Sequence, residues 1–102
     1  MRILVFFDLP VYSKILRKDY RIFRRFLIND GYDMIQFSVY GRICNGVDAV
    51  DKHLQRLKKN LPSSGSIRSM TVTESQFARM EILVGEKKPA EKKKSDELTL
   101  FF

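Results

Sequence analysis

Five consecutive apolar residues, Ile3 to Phe7, lead straight into Asp8, with Pro10 two positions on. So short and uniform an apolar run predicts a buried strand over residues 2–8, stopped by the proline. From Tyr12 to Asn29 the period becomes helical. Ile15, Leu16, Tyr20, Ile22, Phe23, Phe26 and Leu27 fall in one arc of a helical wheel, and Lys14, Arg17, Lys18, Arg21, Arg24 and Arg25 fall in the opposite arc. Gly31 supplies the left-handed stop. Residues 32–44 alternate, with Ile35, Phe37 and Val39 on one side and Gln36, Ser38 and Tyr40 on the other, which is strand behaviour. Asn45-Gly46 is a turn, and Asn45 with Asp48 resembles a helix start. The helix over roughly 47–60 places Val47, Val50, Leu54, Leu57 and Leu61 at seam-like spacing. A polar loop (60–66) leads to a β-branched strand (67–73). Thr73 and Gln76 then form a capping box for a short helical turn through Met80, and residues 81–85 read as another strand.

The fold expected is α+β and ferredoxin-like, β-α-β-β-α-β, with both helices on one face of a four-stranded antiparallel sheet. The first strand does not alternate, which implies cover on both of its faces, most simply by a second subunit packed sheet to sheet. Residues 1–85 form the domain. From 86 to 97 the composition turns to Lys, Glu, Pro and Ala, a polar linker. Residues 98–102, LTLFF, form an additional C-terminal strand suited to an exposed sheet edge, the chain's own or its partner's.

Composition changes this picture in one respect. The chain carries a net charge of +7, with +6 of it in residues 1–84 and +1 in the remainder, so the positive charge belongs to the folded body. That distribution points to nucleic acid. The single cysteine, Cys44, excludes an internal disulfide and fits a reducing compartment. The apolar run before Asp8 is far short of a signal-peptide core and no segment reaches the length of a membrane span, so a cytoplasmic protein without membrane contact is expected.

Asp8 is the foremost candidate for chemistry. It is either a turn-initiating aspartate before a proline or a magnesium ligand. A twofold axis near the end of the first strand would join two Asp8 carboxylates into one oxygen site, completed by water and phosphate oxygens. The cations of the first helix are a solvated face or a phosphate-binding face. Their single sign and their richness in arginine favour phosphate. Arg42, Arg68 and Arg79 lie on or beside strands and could extend that surface. His53 reads as a surface residue, Cys44 as core, and Tyr12, Tyr20, Tyr32 and Tyr40 as packing residues first and base-stacking platforms second.

Three segments carry a resemblance. VFFDLP in the first strand, YRIFRRFLINDGYDMIQFSVYGRI across the first helix and the next strand, and TVTESQFARMEILVGE near the end resemble the small CRISPR-associated endonuclease of spacer acquisition. That family is the smaller of the two proteins universal to CRISPR adaptation, and QFSVY and TVTESQFARM look most like its type II version. The resemblance implies a homodimer joined through its sheets, with the C-terminal strand completing the partner's sheet. It implies metal-dependent endonuclease activity on RNA or DNA, with magnesium or manganese held by Asp8. It further implies that the dimer binds the protospacer duplex and bridges dimers of the CRISPR integrase. Alternatives are a free-standing metal-dependent ribonuclease or deoxyribonuclease and a non-enzymatic dimeric regulator that binds nucleic acid. Phe7 stands where relatives often carry a tyrosine.

Overall fold

The computed structural model describes residues 1–85, so the polar linker at 86–97 and the terminal strand at 98–102 lie outside the described residues. The elements are β1 (Arg2–Asp8), α1 (Lys14–Asn29), β2 (Asp33–Gln36), β3 (Val39–Ile43), α2 (Val47–Lys58), β4 (Ser66–Val72) and α3 (Glu74–Ala78). All strand pairings are antiparallel, in the order β2-β3-β1-β4, which gives the ferredoxin-like fold. Register fixes the faces. Ile3, Val5 and Phe7 of β1 join Phe23 and Leu27 of α1, Tyr40 of β3, and Val50 and Leu57 of α2 in one core. Arg2, Leu4, Phe6 and Asp8 therefore point to the opposite, helix-free face. Each large side chain buried in that core contributes about 1.5–3 kcal/mol.

Residues 32–44 form a hairpin rather than the single strand their alternation suggests. Ser38 adopts a left-handed conformation (φ 64°) and the register shifts between Met34 and Gln36, so the chain reverses at Phe37-Ser38. No glycine, asparagine or proline marks this turn, and an apolar residue sits at its tip. Phe37 is 87% exposed. Residues 81–85 form no strand. Met80–Val84 instead lies over the helix-free face, walling with Ile35 and Val39 a cavity of about 350 Å³ above Leu4 and Phe6. Leu4 is buried and meets Ile35 over Gly41. Part of the second cover on β1 is thus intramolecular, while Ile43, Met70, Leu83 and Val84 remain exposed.

α1 starts at Ser13, whose hydroxyl accepts from the Leu16 amide, and Gly31 follows its end at φ 92°. Its buried line is Phe23 and Leu27, flanked by half-buried Leu16, Tyr20 and Phe26. Ile15 and Ile22, expected in the apolar arc, sit on its shoulder, about 100° around the helix from the buried Phe23 and Leu27, and are exposed. α2 has no side-chain cap. Gly46 rather than Asn45 precedes it, and Val47 and Leu61 are exposed. The capping box at Thr73 and Gln76 is present in both directions.

Candidate functional site

Asp8 is the last residue of β1, and three neighbours fix its direction. Phe7 turns into the core, its ring 5.4 Å from that of Phe23, 5.6 Å from that of Tyr40 and 6.1 Å from that of Tyr20. With Phe7 anchored there, pleating sends the Asp8 carboxylate out on the helix-free face, where it is exposed. The Phe7 amide donates to the Ser38 carbonyl at 3.0 Å, which seats the hairpin tip beside Asp8. On the other side Asp8 pairs with Ser66 of β4. Gly65 closes the back. A Cβ there would lie 2.5 Å from Leu9 Cδ2 and 2.8 Å from the Asp8 carbonyl oxygen, and φ is 98°, so only glycine fits. A cavity of about 440 Å³ opens between Phe6, Asp8, Phe37, Ser38, Ser66 and Arg68. Because Phe7 is buried, base stacking and hydroxyl chemistry have no place at that position.

Among the described residues no three His, Cys, Asp or Glu side chains cluster as a metal site. One exposed carboxylate beside the serines Ser38 and Ser66 nonetheless suits a hard cation that keeps most of its water and takes the rest of its ligands from phosphate.

The six helix-1 cations are all exposed but not equivalent. Arg24 donates from Nε to the Tyr40 hydroxyl at 2.9 Å, and Arg17 donates to the Val11 carbonyl at 3.0 Å. Lys14, Lys18, Arg21 and Arg25 make no ion pair or side-chain hydrogen bond with the described residues. This surface lies on the helix side of the sheet and Asp8 on the other, so the two sets of candidate residues do not share one site. Arg42 is structural, with Nε 2.6 Å from the Asp30 carbonyl oxygen, and Arg79 is exposed at the end of α3.

His53, expected at the surface, is 5% exposed. Its Nδ1 lies 2.9 Å from Asp30 Oδ2, and Arg56 Nη2 lies 2.6 Å from Asp30 Oδ1. Asp30 caps the end of α1, so this knot ties α1 to α2. The sequence carried a signal for it, since His53 falls in helical phase between Val50 and Leu57. Cys44 is buried as expected, and of the tyrosines Tyr32 and Tyr40 are buried, Tyr20 is half-buried and Tyr12 is exposed.

Comparison with known proteins places this geometry. Residues 1–80 match the family described as CRISPR associated protein Cas2. The chain is 72% identical over 85 residues to a CRISPR-associated endoribonuclease Cas2 of Acidovorax ebreus, covering 83% of each protein. It is 36% identical to one of Parvibaculum lavamentivorans, covering 99% of this chain and 100% of that protein. Among solved structures it is similar to Streptococcus pyogenes Cas2 crystallised at pH 6.5, with 27% identity, a TM-score of 0.60, and coverage of 81% of this chain and 99% of that one. A strand-1 aspartate held on the open face of a ferredoxin-like sheet, with sequence matched over nearly all the described residues, gives one conclusion: the chain belongs to the Cas2 family of CRISPR-associated proteins.

Proposed function

We propose that the chain is a magnesium- or manganese-dependent endonuclease of CRISPR adaptation. Relatives that share most of its length are named endoribonucleases. The observation that carries the proposal is the exposed Asp8 carboxylate at the rim of the helix-free face, beside an open cavity of about 440 Å³ lined by Ser38, Ser66 and Arg68. Asp8 would hold the cation, with the Asp8 of a second copy completing the site. Magnesium, when bound, supplies positive charge to the phosphodiester and raises the acidity of a coordinated water. Hydrolysis forms a bond from the water oxygen to phosphorus as the bond from phosphorus to the leaving sugar oxygen breaks. The attacking water gives up a proton to solvent, and the leaving oxygen takes one from solvent.

The second copy has physical support. Ile43 and Met70 are exposed on the same face as Leu4, and among the described residues β4 is an unpaired edge seven residues long. A dimer formed there would place the helix-1 cations outward on both protomers. Lys14, Lys18, Arg21 and Arg25, with Arg17 and Arg24 held beside them, would take the phosphates of a protospacer duplex, and the assembly would bridge integrase dimers.

The separation of the two surfaces makes the proposal testable. Asp8→Ala should abolish magnesium-dependent cleavage of RNA or DNA while duplex binding without metal stays equal or rises slightly, because a carboxylate repels phosphate. Cleavage by a folded Asp8→Ala protein would overturn the assignment. Duplex binding lost with Asp8 alone would overturn the two-surface arrangement.

A further inference from the structure

The two arginines on the helix-free face of β1 and β4 differ in their surroundings. Arg2, at the far end, is neutralised: its Nε lies 3.0 Å from Glu74 Oε1, and its guanidinium stacks 3.9 Å above the Phe77 ring. Arg68, at the Asp8 end, is exposed and makes no ion pair or hydrogen bond with any described residue. Register places it precisely enough to matter. Phe6 pairs with Arg68 and Asp8 pairs with Ser66, so Asp8 and Arg68 are diagonal neighbours on one face. Such neighbours are about 7–8 Å apart at the backbone, within reach of a long side chain. Yet no Arg68 nitrogen lies within 4.0 Å of an Asp8 oxygen, and both side chains line the same cavity of about 440 Å³.

We propose that Arg68 is the phosphate-holding residue of the Asp8 site. This rests on the reading of Asp8 as the metal-holding carboxylate. That carboxylate by itself opposes the approach of a phosphodiester, and one magnesium ion must offset both charges. A guanidinium on the neighbouring strand supplies the missing attraction and a planar fork that fits two non-bridging oxygens. It also fixes the direction of approach, with the phosphate entering between β4 and the Phe37 tip and the sugar or base beside that exposed ring. Arg68 thereby positions the scissile group and takes no part in proton transfer.

The test uses the full chain with two readouts. In magnesium-dependent cleavage, Arg68→Ala should raise KM about tenfold or more with a smaller change in kcat, and Arg68→Lys should recover part of the loss by restoring charge without the fork. Thermal unfolding of both variants should match the parent. Separately, the Arg68 Nε–H resonance, assigned with the lysine variant, should shift when a ribodinucleotide is titrated in, while the Arg2 resonance stays fixed. Unchanged KM in Arg68→Ala, or an Arg68 resonance that ignores the dinucleotide, overturns the proposal. If the parent cleaves nothing, or Asp8→Ala still cleaves, the nuclease reading of Asp8 falls, and the resonance alone decides whether Arg68 contacts phosphate.

Discussion

Replacing Asp30 by alanine should be among the most damaging single changes in the domain. The side chain is 3% exposed and serves two partners on α2, His53 at 2.9 Å and Arg56 at 2.6 Å. Their losses differ. His53 is buried, so removing the carboxylate leaves an imidazole nitrogen without a partner, at a cost of about 1–3 kcal/mol. The Arg56 side chain is 51% exposed and is rehydrated, so its share is at most about 1 kcal/mol. The Arg42 contact survives because it uses the Asp30 main-chain oxygen, and the cap bond from the Asp30 amide to the Phe26 carbonyl survives as well. The expected loss is therefore about 1–4 kcal/mol, a large part of the stability of a domain this size. Urea unfolding of Asp30→Ala, His53→Ala and the double variant would measure it. The cycle should give a coupling of about 1 kcal/mol or more, because the two residues share one buried contact. A single-variant loss below about 0.5 kcal/mol, or independent effects, would refute the view that this knot holds α1 to α2.

Three further outcomes follow from the geometry. Replacing Lys18, Arg21 and Arg25 together should lower the salt dependence of duplex binding by up to about three released counterions, and an unchanged slope would remove α1 from the interface. Gly65→Ala should destabilise the fold by about 1–3 kcal/mol in urea titration, since its Cβ meets Leu9 and the Asp8 carbonyl at a φ of 98°; a neutral result would show that the loop relaxes freely. Burial pushes the Tyr32 hydroxyl up to about 12, with nearby Asp30 and Cys44 adding to the rise and Arg42 opposing it. The neutral phenol is favoured in the fold, so that stability is intact below about pH 10 and is lost as pH rises through about 12. Tyrosinate absorbance should show a late phase that disappears in Tyr32→Phe, and a titration without that phase would refute the assignment.

What the sequence made legible followed from periodicity. β1, α1, the capping box at Thr73 and the Asp8 position all rest on local patterns that tertiary structure left in place. The hairpin at Phe37-Ser38 was hidden because its left-handed residue is a serine and its tip is apolar, so the alternation of 32–44 continued through the turn. Residues 81–85 have the composition of a strand but lie over the helix-free face beside Leu4 and Phe6 instead of pairing with an edge, and composition does not distinguish the two. Ile15 and Ile22 lie on the shoulder of the arc, and a helical wheel does not say how far from the buried line of Phe23 and Leu27 burial extends. His53 was misjudged because a histidine among lysines resembles a surface residue until Asp30, 23 positions away, is seen against it. The placement of Asp8 and Arg68 as diagonal neighbours required the β1–β4 register, which no local pattern encodes.

That register has a last consequence, for how copies of this chain can add to one another. Among the described residues the two borders of the sheet are unequal: β4 offers seven residues of open ladder, while β2 offers four and is interrupted by a bulge. A molecule with two adhesive borders grows head to tail into a filament, whereas one with a single adhesive border saturates after one partner. If copies of this chain add through these borders, the irregular β2 hairpin limits growth while the long β4 edge invites it, so such an assembly would stop at two.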